Sequence, residues 1–530
     1  MKNKIKYFLL VFVFGTLLMS SCDDFLDKSP SDKLSSETYW SDERSADMAL
    51  AGCYRLLNGD RYEEFMMFFD MATDIAFSQF PWDGFQDIGN GSVTDQSLKA
   101  YEHWSKKYAG IERSNEFIAN IDEVHFVTPG LKERMLGEVR FLRAYQYSIL
   151  IDLFGDVPLV KQPLTVDEGK TITRNPKSEV LDFILEDLTY AANNLPVTYP
   201  GSDYGRITKG AALALKARVE LYNGKFSEAA IDAKAVMDLG VYQLFPNYEE
   251  QWWLANEGNA EIVLARNYEG PAVIHYFDAG VAPGGSQGGY AAIVPTKNIV
   301  DAYLCTDGLP ISESPLYDPE DPFTNRDPRL EMSIIHHNSV FEMAQGGIDS
   351  IKIYTPGISK HSIGRPNASK TGYYQRKLLD PTAPNVWNME NDQILMRYAE
   401  VLLTYAEAKI EANQIDQSVF DALNLLRQRP SVNMPDIPFT NDQQKAREIL
   451  RNERMVELAF EGHRYFDIRR WRIIGDVMPG ALLGARILDN DGTWKEVFVE
   501  NRNFSEKLYL LPIPRRERDL NPGLEQNPGY

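Results

Sequence analysis

The stretch that most constrains the fold runs from Arg451 to Trp471: Arg-Asn-Glu-Arg-Met-Val-Glu-Leu-Ala-Phe-Glu-Gly-His-Arg-Tyr-Phe-Asp-Ile-Arg-Arg-Trp. Met455, Leu458 and Ala459 fall at helical spacing and predict an apolar stripe. Gly462 predicts the end of that helix, because glycine enters the left-handed conformation without penalty, and a second helix starts at once. Glu453, Glu457 and Glu461 repeat every fourth residue, which stacks them along one side of the first helix. Arg451, Arg454, Arg464, Arg469 and Arg470 are near enough in sequence to answer them. Carboxylates in a row can signal acid–base catalysis of the glycosidase kind. A catalytic pair, however, needs one carboxyl held apart from cations. So many arginines predict instead an Arg–Glu lattice that fixes the angle between two packed helices.

The rest of the body is also periodic. Ser41 to Leu57, Leu98 to Ile121, Lys132 to Phe154 and Ser178 to Asn194 carry apolar residues at three- and four-residue spacing. Pro129-Gly130, Pro158 and Pro196 punctuate them. Thr208 to Tyr222 and Phe226 to Met237, joined through Gly224, resemble a tetratricopeptide hairpin, with small alanines where the helices meet. Asp392 to Ala412 with Val419 to Arg427 predicts another hairpin, and Arg451–Trp471 a third. The expected class is all-α, built of tetratricopeptide-like helical hairpins. Spacing between the repeats is irregular, so the pattern supports hairpin packing without fixing a regular solenoid. Residues 268–388 differ: rich in Gly, Pro, Asn and aromatics, they predict a long loop-rich insert.

Charge and the chain start set the compartment. The formal net charge of −21 argues against nucleic acid, whose phosphates it would repel. It is equally unsuited to anionic membrane surfaces, so attachment to a bilayer requires an anchor. Lys2, Lys4 and Lys6 form a basic start, and Tyr7 to Met19 form an apolar core interrupted by Gly15 and Thr16. Such a core is too short to span and predicts a secretory signal over residues 1–21. Cys22 follows Ser20-Ser21 and is similar to a bacterial lipobox cysteine, which would carry lipid. An ordinary secreted protein with an incidental Cys22 is the alternative. Residues 22–40 are polar and read as a tether. The remaining cysteines, Cys53 and Cys305, are too few for a disulfide framework. No Cys/His cluster has zinc spacing, and adjacent His336-His337 cannot act as an i, i+4 ligand pair. Neither metal nor cofactor is expected.

The loops hold the candidate site. Exposed aromatics beside Asp, Asn and Gln suit sugars, since an aromatic face packs on the CH-rich face of a pyranose. The expected ligand-binding residues are Trp82, Asp83, Phe85, Tyr276, Tyr290, Tyr373 and Trp387. Phe277 and Tyr374 are further platforms, and Gln86, Asp278 and Asn388 polar partners. For any single aromatic, a place in the core is the competing reading. The run Gly284-Gly285-Ser286-Gln287-Gly288-Gly289 lacks the Gly-Lys-Ser/Thr ending of a phosphate loop. There is no Gly-x-Ser-x-Gly elbow and no His-Glu-x-x-His, so no catalytic residue is expected, although carboxylates paired across sequence leave no local signature.

Together, Arg451–Trp471, Tyr509-Leu510-Leu511-Pro512-Ile513-Pro514, Asn521-Pro522-Gly523-Leu524 and the closing Gln526-Asn527-Pro528-Gly529-Tyr530 resemble the SusD/RagB family of Bacteroidetes surface nutrient-binding lipoproteins. So do Gly137-Glu138-Val139-Arg140-Phe141-Leu142-Arg143-Ala144-Tyr145 and Phe154-Gly155-Asp156-Val157-Pro158. The resemblance implies a right-handed scaffold of four helical hairpin units, an N-terminal region over 41–267 and a C-terminal region over 268–530. It implies lipid anchoring on the outer face of the outer membrane, to which Asp23-Asp24 is similar as an export signal. It also implies capture of an oligosaccharide and its delivery to a SusC-type TonB-dependent outer-membrane transporter. A peptide-binding member of the family and a surface glycoside hydrolase are the alternatives.

Overall fold

Helices form where apolar spacing and capping chemistry agree. In the computed structural model, residues 39–57, 66–284, 288–344, 347–354, 359–489 and 492–530 are described; Cys22, the signal expected over residues 1–21 and nearly all of the tether expected over 22–40 lie outside them. Helix α1 (Glu43–Tyr54) starts on a reciprocal capping box between Asp42 and Ser45. Then come α2 (Leu98–Asn120), α3 (Leu131–Phe154) and α4 (Lys177–Asn194). The pair α5 (Lys209–Tyr222) and α6 (Phe226–Asp238) follows. Thr208 caps α5 by accepting from the Ala211 N–H at 3.1 Å. Gly224 turns the pair with φ +76°, and a Cβ there would meet nothing within 4 Å, so conformation rather than space requires glycine. Ala211, Ala212, Ala214 and Ala217 on α5 and Ala229, Ala230 and Ala233 on α6 are buried, which lets helices approach closely.

The C-terminal half adds α7 (Tyr398–Glu411), α8 (Gln417–Arg427), α9 (Gln443–Glu457) and α10 (Arg464–Arg470). Helix α3 packs on α2 and α4, α4 on α5, α5 on α6, α6 on α7, and α7 on α8 and α9. This continuous array is the tetratricopeptide-like scaffold. Short antiparallel sheets accompany it: Ala72–Thr73, Ala76–Ser78 and Ile293–Pro295 form one, and Gly480–Leu488 with Trp494–Arg502 the longest hairpin. The helix expected from Asp392 begins only at Tyr398. Gln393–Arg397 is a strand paired with Ile262–Arg266, and this extended run carries the Arg397 side chain into the buried lattice.

That lattice is real, but its cations come from elsewhere than expected. Glu453 accepts from Arg329 at 2.6 Å and Arg427 at 2.9 Å. Glu457 accepts from Arg397 at 2.7 Å, Arg329 at 2.9 Å and Arg429 at 3.0 Å. Glu461 accepts from Lys377 at 2.6 Å and Arg397 at 2.7 Å. Glu261 joins through Arg429 at 2.7 Å and Arg397 at 2.8 Å. The neighbouring arginines serve other partners: Arg454 binds Asp467 at 2.8 Å, Arg464 binds Asp74 at 2.7 Å, and Arg470 binds Glu407 and Asp467. Arg451 lies over the Trp471 ring and Arg469 over the Tyr465 ring.

Helix α9 ends at Glu457, earlier than the glycine suggests, and Phe460 already has φ +65°. Glu461 therefore projects from the turn rather than from the helix face. Gly462 is required by a close approach: a Cβ would lie 2.6 Å from the Met66 carbonyl oxygen and from the Met67 Cα. Its N–H donates to Asp70 Oδ2 at 3.0 Å.

Burial pushes the Glu457 carboxyl up, but the charges of Arg397, Arg429 and Arg329 outweigh it and hold it well below the carboxylate range. Glu461, slightly less buried, is held at about 2 by Arg397 and Lys377. Removing one carboxylate leaves buried cations unpaired, so Glu457→Ala is expected to lower the unfolding free energy by about 3–5 kcal/mol in urea titrations. Both folded-state pKa values lie below the unfolded value of about 4.3. Their stabilisation is therefore complete above that value and lost as the pH falls towards 2. The melting temperature should fall through that window, and Glu461→Gln should flatten the fall.

Candidate functional site

The strand Ala76–Ser78 runs into a single 3-10 turn, Pro81–Asp83, closed by Gly84 at φ +76°. Pro81 fixes the backbone between two aromatics, Phe80 and Trp82. Their rings stack at 5.3 Å with an interplanar angle of 15°, and Trp82 is 52% exposed. The Trp82 ring meets Tyr290 edge-on at 6.4 Å, and Tyr290 meets Trp387 edge-on at 5.4 Å. Trp387 is 40% exposed. Three segments far apart in sequence thus build one aromatic surface.

Backbone hydrogen bonds lock those segments together. The Tyr290 N–H donates to Ala279 O at 2.9 Å, and the Ala279 N–H donates to Val386 O at 3.1 Å, one residue before Trp387. Gln79 donates its N–H to Ala292 O at 2.9 Å and its side-chain amide to Tyr290 O at 3.4 Å. The Trp387 N–H is held by Asn385 Oδ1 at 2.9 Å. Beneath them Asp278 is wholly buried, and burial raises its pKa well above the carboxylate range. It accepts from the Asp380 N–H at 3.4 Å as part of the support, not the surface.

Among the other residues expected at the site, Phe85, Asp83 and Tyr373 lie in the interior. Phe85 is fully buried, edge-on to Phe69 at 5.3 Å and beneath the Lys99 ammonium. Asp83 is fully buried, with Ser78 Oγ 3.4 Å from its Oδ2. Tyr373 is buried edge-on to Phe323 at 6.5 Å. Phe277 and Tyr374 are buried too, while Asn388 is exposed beside Trp387. The reason is geometric: a tight turn sends neighbouring side chains to opposite sides, so residues in one aromatic-rich loop divide between surface and core. Tyr276, 37% exposed, lines a separate hollow of about 690 Å³ with Tyr54, Tyr204, Arg206 and Arg266. Phe80 was not singled out from sequence; its place across Pro81 from Trp82 was the available signal. Among the described residues, no group of three His, Cys, Asp or Glu side chains is arranged to hold a metal ion.

The SusD family model matches residues 258–530, just over half of the chain. The chain belongs to the SusD family. A second model, described as starch-binding associating with outer membrane, matches residues 24–221. The crystal structure of a SusD-like carbohydrate binding protein from Bacteroides fragilis is 30% identical, covers 92% of this chain and 100% of that one, and superposes with a TM-score of 0.85. SusD-like protein P25 of Formosa agariphila is 24% identical over 98% of this chain and 99% of its own length. The starch-binding protein SusD of Bacteroides thetaiotaomicron is 25% identical over 77% of this chain and 75% of its own.

In this SusD-family chain the split between surface and core predicts opposite mutational outcomes within one loop. Phe85→Ala should cost about 3–5 kcal/mol of stability in chemical denaturation. Trp82→Ala, which removes a ring that is 52% exposed, should stay within about 0.5 kcal/mol.

Proposed function

We propose that this chain binds an oligosaccharide on the surface formed by Phe80, Trp82, Tyr290 and Trp387, without cleaving it, and delivers it to a SusC-type TonB-dependent transporter in the outer membrane. The observation that carries the reading is the run of ring contacts joining Trp82, Tyr290 and Trp387 across three loops. Contiguous aromatic rings, exposed at Trp82 and Trp387 and half-buried at Phe80 and Tyr290, fit the alternating apolar faces of a sugar chain, whose hydroxyls remain free for water and for Asn388. Because backbone hydrogen bonds hold the loops, little ordering entropy is lost on binding. Binding without cleavage is favoured by the fate of Asp83, the carboxylate nearest Trp82 in sequence, which is buried rather than presented to a ligand. Relatives described as starch-binding and carbohydrate binding support a glycan over a peptide. The proposed anchor is Cys22, whose acyl chains each contribute about 0.8 kcal/mol per buried CH₂.

Titration against a panel of maltooligosaccharides, laminarin oligosaccharides and peptides tests this. For the glycan that binds, Trp82→Ala should weaken affinity roughly tenfold or more, since burying one aromatic platform contributes about 1–3 kcal/mol. Unaltered affinity removes Trp82 from the site, and release of reducing ends by pure protein overturns the binding-only reading. In cell fractionation, Cys22→Ala should shift the protein out of the membrane fraction, and co-purification with the partner transporter tests the delivery step.

A further inference from the structure

A second cavity, away from the aromatic surface, has a charge balance unlike that of the chain as a whole. It encloses about 400 Å³ between α10 and the C-terminal segment, large enough for a small ligand. Lys177, Arg469, Arg470, Arg472 and Lys507 line it against two carboxylates, Asp152 and Glu506, in a protein of net charge −21. Most of these charges are accounted for. Arg470 is held by Glu407 and Asp467, Lys177 lies 3.7 Å from Asp152, and Arg472 lies 3.1 Å from Glu506.

Arg469 differs. It is about nine-tenths buried, its Nη1 donates to the Tyr465 carbonyl at 3.0 Å, and its guanidinium carbon lies 3.2 Å from the Tyr465 ring centre. Its Nε is buried without a hydrogen-bond acceptor. Burial lowers its pKa, and its charge neighbours are the hydroxyls of Tyr465, Tyr530 and Tyr509 rather than a carboxylate. Buried guanidinium groups are normally matched by an anion, because desolvating the charge alone is costly. Among the described residues no carboxylate is paired with Arg469: the two in this cavity, Asp152 and Glu506, face Lys177 and Arg472.

We propose that this cavity is a binding site for a small oxyanion, with Arg469 as its buried counter-charge and Arg472 and Lys507 at its rim. The aromatic walls, Tyr222, Phe466 and Tyr509, suit a compact organic body attached to the anionic group, such as a sugar acid. Arg472 lies 3.4 Å over the Tyr509 ring, and Lys507 lies 4.7 Å over the Tyr530 ring while its Nζ donates to the Val93 carbonyl at 3.3 Å, so both cations are held in place. The site is independent of the proposed glycan surface.

Calorimetric titration and melting curves of the purified protein with sulfate, inorganic phosphate and glucuronate, at ionic strength matched with chloride, test the proposal. Saturable binding of at least one is expected, with a rise in melting temperature beyond the chloride control. Preference for glucuronate identifies a sugar carboxylate, and preference for sulfate or phosphate a tetrahedral oxyanion. Arg469→Gln should weaken that binding by about tenfold, the scale of one charge-assisted hydrogen bond. Should that variant fold poorly, Arg472→Gln and Lys507→Gln at the rim provide the same readout. No saturable binding of any of the three, equal binding of neutral glucose, or affinities unchanged in the rim variants would overturn it.

Discussion

The row of buried carboxylates at Glu453, Glu457 and Glu461 is the interaction on which the rest of the architecture depends. Between them the glutamates gather cations from several parts of the chain: Arg329 and Lys377 from the loop-rich insert, Arg397 from the strand before α7, and Arg427 and Arg429 from the end of α8 and just beyond it. Glu261, before the strand Ile262–Arg266, closes the network from the N-terminal side. A bidentate guanidinium–carboxylate contact tolerates little displacement. Fixing these side chains therefore fixes where the insert sits on the helical scaffold. Hydrophobic burial supplies the gross driving force; the ionic network makes one arrangement of the parts distinct from its neighbours.

From that junction the geometry passes to the aromatic surface. The insert is anchored at Arg329 and Lys377 and flanked by Glu261 and Arg397; Tyr290 lies between Glu261 and Arg329 in sequence, and Trp387 between Lys377 and Arg397. Backbone bonds through Ala279 and Val386 then set the two rings side by side, while Gln79 brings in the loop of Phe80 and Trp82. A platform made only of flexible loops would lose much of its binding energy to ordering. Here the loops stand on a network that is buried and ionically cross-linked.

Local signals are the ones legible along the chain. The α5–α6 hairpin was legible almost to the residue, because alanines, a threonine cap and Gly224 are near-neighbour features. The density of Arg and Glu in Arg451–Trp471 announced a lattice, and Trp82, Tyr290 and Trp387 stood out as loop aromatics. Sequence proximity misled where partners are chosen in three dimensions. Arg451 and Arg469 rest on aromatic rings, while Arg329 and Arg397, far along the chain, meet the glutamates. Phe85 and Tyr373 have the same composition signal as Trp82 but point inward.

What the amino-acid sequence determined by itself was therefore helical hairpins, a loop-rich insert, and family membership through motifs spread along the chain. Periodicity, caps and turn residues act over a few positions, so they can be read along one dimension. Which cation meets which carboxylate, which aromatics share a surface, and that Arg469 lines a cavity without being paired to a carboxylate were decided only by tertiary structure. Those outcomes depend on side-chain direction and on contacts between residues hundreds of positions apart, and no local pattern encodes them.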